Sequence, residues 1–129
     1  MRKGWLAAMT GVVSLMTTSA YADTVKIGVL NDQSGVQADF AGPGSVVAAR
    51  MAVEDFGGTV AGNKIEIVVA DHQNKADVGV NIARRWFDVD GVDAIFDVPN
   101  SAVALAVNSL AKQKNKVMIG SGGGTSDMT

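Results

Sequence analysis

The 129-residue chain contains no cysteine, a single histidine and only 5% aromatic residues. Without cysteine there is no disulfide, no thiolate nucleophile and no zinc–sulfur site. The histidine, His72, stands beside Asp71 but has neither a second histidine nor a carboxylate cluster near it in sequence. That argues against a metal or acid–base centre there, and Asp71 reads instead as a turn former that bonds backbone amides. The basic residues form no run; Arg84-Arg85-Trp86 reads as a charged helix face beside one core aromatic. No G-x-G-x-x-G follows the first strand, and no lysine–serine or lysine–threonine pair follows the glycines near the end. Asp88, Asp90, Asp93 and Asp97 lack the register and the glutamate of a calcium loop, so they read as solvated surface, with Asp97 able to face a sheet edge. There is no internal repeat and no linker-like stretch.

What is present begins with an export signal. Met1-Arg2-Lys3 is a short basic region, Gly4 to Met16 is mostly apolar and uncharged, and Ser19-Ala20-Tyr21-Ala22 supplies small residues at the two positions a signal peptidase reads. The apolar part falls short of the about 20 residues a bilayer span needs. Residues 1–22 are therefore expected to be a signal peptide cut between Ala22 and Asp23, with residues 23–129 a partial α/β ligand-binding lobe. Arg2 and Lys3 leave with the leader, so nine basic residues face 13 acidic ones and the net charge becomes −4. Such a surface makes nucleic acid and anionic membrane poor partners.

Strand and helix signals then alternate. Val25 to Leu30 reads as a buried strand interrupted by Lys26 and Gly28. Gly42-Pro43-Gly44-Ser45 opens a helix with Val46, Ala49, Val53 and Phe56 at helical spacing, ended by Gly57-Gly58. Lys64 to Ala70, rich in branched residues, is the second strand. Asp77 is a candidate cap for a helix with Val78, Ile82, Trp86 and Val89 on one face. Asp93 to Val98 is the third strand. Ser101 is expected to cap a third helix carrying Val103, Val107, Leu110 and Ala111, and Lys116 to Gly120 is the fourth strand. The pattern predicts a parallel sheet flanked by helices, βαβαβαβ, with ligands at the carboxyl ends of the strands. The last nine residues carry that logic further. The fourth strand runs into Gly122-Gly123-Gly124, then into Thr125, Ser126 and Asp127, types that open a helix and offer its N–H groups to an anion. The helix itself is not in the sequence, which reads as the beginning of a longer protein.

At the strand exits a family resemblance becomes specific. Ile27-Gly28-Val29-Leu30, Ser34-Gly35, Ala41-Gly42-Pro43-Gly44 and Ala48 to Asp55 resemble the opening of the branched-chain amino-acid type of periplasmic substrate-binding protein, the receptor of an ABC importer. Val69 to Asp77 resembles that family's aspartate turn, Asn100 to Val107 its third-helix start, and Ser121 to Thr129 its fourth strand exit. The resemblance spans residues 24–129. It implies the N-terminal part of a type I periplasmic binding protein lobe, with the second lobe missing. It also implies a receptor and not an enzyme, without cofactor or metal, monomeric when full length. A small carboxylate-bearing ligand would be bound between two lobes and delivered to a membrane permease. Ser101 matches the serine that receives the ligand carboxylate, Thr125 a threonine that holds ligand polar groups, and Gly123 a position whose backbone meets the ligand. The acidic and aromatic groups that complete such a site lie beyond Thr129.

Two departures bear on the ligand. The first strand exit reads Asn31-Asp32-Gln33-Ser34-Gly35 where many members carry a different turn, and Gly123-Gly124 replaces common alanines. A wider pocket floor would follow, admitting aromatic acids or amides as well as amino acids. Two other classes share the architecture. One is the ligand-sensing module of a receptor; the other is a nucleotide-binding α/β enzyme with Gly122 to Thr125 as a phosphate cradle.

Overall fold

The computed structural model describes residues 23–128; the expected leader lies outside the described residues. Five strands form one sheet: β1 (Thr24–Asn31), β2 (Thr59–Val60), β3 (Asn63–Asp71), β4 (Ala94–Asp97) and β5 (Val117–Gly120), in the order β2-β3-β1-β4-β5. β1, β3, β4 and β5 are parallel neighbours, so their four carboxyl ends share one edge. These are the four predicted strands. β2 is an addition, a two-residue antiparallel hairpin partner of β3, too short to leave a signal in the sequence. From β1 the chain moves outward to β3, then crosses back to β4 on the other side. The order therefore reverses around β1, where α/β sheets open a crevice.

The helices are α1 (Ala38–Ala41), α2 (Pro43–Phe56), α3 (Ala76–Arg85) and α4 (Ser101–Gln113). α2 starts with proline in its first turn and ends on Gly57, whose φ of 99° only glycine adopts cheaply. α3 and α4 cover one face of the sheet, and the core lies there: Leu30, Ile95, Val98, Val103 and Val107 are fully buried. All of the residues predicted for the inner face of α4 are buried.

On α3 the predicted face holds in part: Trp86 is buried and Ile82 packs against the core, as expected, but Val89 does not follow. Gly79, Ala83, Trp86 and Phe87 point inward, while Val89 is 75% exposed. Val89 turns outward because of a π-helical turn over Trp86–Asp90, whose extra residue per turn shifts everything after Trp86 off the 3.6-residue stripe. Small residues set the spacing. A Cβ on Gly79 would meet Val103 Cγ1 at 2.5 Å, and one on Gly28 would meet the Trp86 ring at 2.4 Å. Gly28 thus interrupts β1 because the indole sits against it. The cap assigned to Asp77 is also corrected: Lys75 occupies the N-cap position without a side-chain bond, and Asp77 lies inside the first turn.

Among the described residues, the opposite face is covered by α2. Between α2 and the sheet lies an apolar cleft of about 400 Å³, bounded by Val25, Ile27, Ile65, Ile67 and Phe96 below and Val53 and Phe56 above. Phe56, the last residue of the apolar spacing on α2, is 65% exposed. The acidic string forms peripheral ion pairs, Arg85–Asp90 at 3.3 Å and Lys114–Asp88 at 2.6 Å. No described helix is long and apolar enough to cross a membrane.

Candidate functional site

The strand exits are built almost wholly from polar side chains. At the end of β1, Asn31 is fully buried and its Nδ2 donates both to Gly42 O at 3.0 Å and to Asp97 Oδ2 at 2.8 Å. Asp97, at the end of β4, also accepts a hydrogen bond from the Ser121 hydroxyl beyond β5. One amide and one carboxylate thereby tie three exits together. Asp97 and Val98 have φ of 81° and 43°, left-handed values that are strained in non-glycine residues, and Val98 N–H returns to Leu30 O at 3.1 Å.

At the end of β3, Asp71 accepts from Gln33 N–H at 3.1 Å, from Gln73 N–H at 2.8 Å and from the Ser34 hydroxyl. Burial raises its pKa, but these bonds outweigh burial, so the carboxyl stays below its ordinary value. The turn-forming role predicted for Asp71 is what is found. His72 is fully buried, which its sequence neighbours gave no means of foreseeing. Its Nδ1 accepts Asn74 N–H at 3.0 Å. Burial lowers its pKa, against the opposing charges of Asp32, Asp71 and Asp97. Among the described residues no group of metal-binding side chains is assembled.

The predicted binding residues come from the β4 and β5 exits, which are adjacent. Ser101 is the first residue of α4, but the cap is Asn100, whose Oδ1 accepts Val103 N–H at 3.1 Å. An asparagine in extended conformation reaches the third amide of the helix, and this leaves the serine hydroxyl for other work. Ser101 Oγ accepts Gly124 N–H at 3.0 Å, so α4 and the glycine loop are joined. Thr125 Oγ1 accepts Asp127 N–H at 3.3 Å, and only a single 3₁₀ turn, Ser126–Met128, follows.

Gly123 and Thr125 line a polar groove of about 260 Å³ with Asn108, Ser121 and Met128; Ser101 reaches the same loop from the side of α4 and does not line the groove. The wider floor expected from the glycines is only half there. A Cβ on Gly123 would meet Met128 Sδ at 2.6 Å, whereas Gly124 faces open space. Sequence reasoning also missed Phe40, 81% exposed in α1 on the connection that leaves β1 at this edge. An aromatic in a loop segment of an aromatic-poor chain was the available signal.

The hydroxyls share one polarity. Each spends a lone pair on a main-chain N–H, which frees its hydrogen to donate. The amides of Ser101 and Ala102, in the first turn of α4, have no intrahelical acceptor. The carboxylates of Asp71 and Asp97 at this edge already accept donors from within the chain, while the Ser101 and Thr125 hydroxyls keep a hydrogen to offer.

The sequence pattern of the periplasmic binding protein family matches residues 24–129. Among solved structures, the chain is 50% identical to a periplasmic binding protein from Burkholderia mallei over 83% of this chain and 28% of that one, with a TM-score of 0.80. It is 56% identical to a branched-chain amino-acid ABC transporter periplasmic ligand-binding protein from Burkholderia xenovorans, over 73% of this chain and 25% of that one (TM-score 0.71). It is 32% identical to an ABC transporter solute-binding protein from Rhodopseudomonas palustris in complex with 3,4-dihydroxybenzoic acid, over 81% and 28% (TM-score 0.76). The chain thus spans little more than a quarter of the length of these relatives. No match is found among curated proteins.

Proposed function

The chain belongs to the periplasmic binding protein family, and from that we propose that it supplies one wall of an extracytoplasmic solute receptor that passes a small carboxylate-bearing ligand to an ABC permease. The family's solved relatives are transporter receptors rather than enzymes. Residues 1–22 act as the leader that brings the chain to the periplasm, and residues 23–129 form part of the N-terminal lobe. Ser101 and Thr125 donate their hydroxyl hydrogens to the ligand, and Gly123 lets it approach the backbone. The full-length receptor is a monomer.

The observation that carries this reading is the bond from Gly124 N–H to Ser101 Oγ. It draws the start of α4 and the glycine loop together and leaves the serine's hydrogen free to donate at a helix N-terminus, a setting that favours an anion. No lysine or arginine is needed, and the loops contain none except Lys75. Phe40 at the same edge offers an apolar face, which suits an aromatic acid as well as a branched side chain.

The test uses the full-length receptor with isoleucine and 3,4-dihydroxybenzoic acid in calorimetry. Ser101→Ala and Thr125→Ala should each weaken binding roughly tenfold or more, the scale of one hydrogen bond to a charged group. Wild-type affinity in both variants for the acid that binds would overturn the assignment.

A further inference from the structure

Beneath the candidate site runs a chain of side chains anchored at one end by a carboxylate and at the other by a backbone N–H. Asp32 is fully buried and, as a carboxylate, can only accept. Its Oδ1 takes Gly35 N–H at 2.8 Å; its Oδ2 takes Gln37 N–H at 2.9 Å and Asn74 Nδ2 at 2.6 Å. With its Nδ2 committed to the carboxylate, Asn74 must turn its Oδ1 the other way, where it accepts Asn100 Nδ2 at 3.2 Å. Asn100 then presents its own Oδ1 to Val103 N–H as the cap of α4. A carboxamide is nearly symmetric in shape, so nothing steric prevents either asparagine from flipping. A flipped Asn100 would set an NH₂ group against Val103 N–H, donor against donor. The acceptor-only carboxylate forbids this two residues away from where the error would matter.

Asn74 is also held at a conformational cost. Gln73 and Asn74 have φ of 52° and 55°, two successive left-handed residues without glycine. The turn persists because Asp71 accepts Gln73 N–H and His72 Nδ1 accepts Asn74 N–H. A glycine would make the turn more cheaply, but it would carry no amide. The body of α4 does not depend on this chain, since Val103, Val107 and Leu110 pin it to the core. What the chain controls is the first turn, where Ser101 meets Gly124.

We propose that Asn74 is a positioning residue: it relays the fixed polarity of Asp32 to the Asn100 cap and so holds Ser101 in register with the glycine loop. Its role in binding rests on Ser101 being a ligand contact, whereas its role in positioning does not. Three variants of the isotope-labelled full-length chain test it by amide hydrogen exchange. In Asn74→Gly the turn is relieved but the relay is cut. Exchange at the Val103 and Gly124 amides should rise about tenfold, the scale of one lost hydrogen bond, with Val107 unchanged. Asn100→Asp keeps a good capping acceptor but loses the donor to Asn74, and should show the same pattern. Asn74→Asp, which sets a second carboxylate against Asp32, should show it most strongly. Unchanged exchange at both amides in Asn74→Gly and Asn100→Asp would overturn the proposal, because a residue serving only the turn or only the cap predicts that result. Faster exchange with undiminished affinity for 3,4-dihydroxybenzoic acid would uphold the relay and instead remove Ser101 from the binding site.

Discussion

The two faces of the sheet are finished to different degrees, although the same strands supply both. Along β1, Leu30 points into the α3–α4 side and is fully buried, while Val25 and Ile27 point toward α2 and are only half-buried. On the first side, glycine and alanine let two helices settle against each other and an indole against the sheet. On the second, a lone helix stands over a cleft with Phe56 largely in solvent. A parallel sheet needs both faces covered. The difference teaches that stability and the candidate site draw on one side. Ser101 and Asn100 stand at the start of α4, His72 lies beside Gly79 of α3, and no residue of α2 lines the polar groove.

The largest expected effect sets these faces directly against each other. Trp86→Ala should cost about 3–5 kcal/mol, as deleting a large buried aromatic usually does, while Phe56→Ala should stay within about 0.5 kcal/mol as a surface change. Urea midpoints for the two variants provide the measurement, and equal losses would erase the distinction. A smaller contrast comes from glycine. Gly79→Ala should destabilise by about 1–3 kcal/mol through overpacking on Val103. Gly44→Ala, with open space at that Cβ, should be neutral or stabilise by a few tenths of a kcal/mol through helix propensity. Destabilisation by Gly44→Ala as large as that by Gly79→Ala would show that α2 is packed after all.

The smallest effect is pH-dependent and sharpens the picture of the finished face. Folding holds His72 neutral below the ordinary histidine pKa of 6.5. Above that value the group is neutral folded and unfolded, and its contribution is constant. As pH falls below it, the unfolded chain takes up a proton that the folded chain refuses, so stability declines. Asp71 acts in the same direction but later: its stabilisation is complete above 3.8 and is lost as pH falls through its lowered value. Urea midpoints should therefore drop between about pH 7 and pH 5 in the parent. His72→Asn, which keeps an acceptor for Asn74 N–H, should flatten that slope. An equal slope in the variant would assign the decline to other groups.

The sequence disclosed the parallel strands, the inner face of α4 and the family, because apolar runs and helical spacing are local properties. It disclosed less of α3, where one π turn displaced the stripe by a residue and sent Val89 outward. It placed the cap of α4 one residue late. Serine and asparagine are both good caps, and only the bond to Val103 distinguishes them. At the edge, Asp71 was legible because an Asx turn is made by neighbours. Asn31, Asp32 and Asn74 were not, since each earns its place through a residue at least 11 positions away.

The central strand is also the earliest among the described residues. Ile27 pairs with Ile67 on one side and with Ala94 on the other, and both lie downstream. A chain emerging from its N-terminus therefore makes its most connected strand first and can satisfy it last. While β3 and β4 are still to come, Val25, Ile27 and Val29 form an apolar ribbon with unpaired backbone groups on both sides. Sheet formation cannot start until the β3 segment has arrived, and it then closes through contacts of long sequence separation, which form slowly. Newly made chains should thus pass through an interval in which β1 is open to pairing with the wrong partner, another copy of itself included.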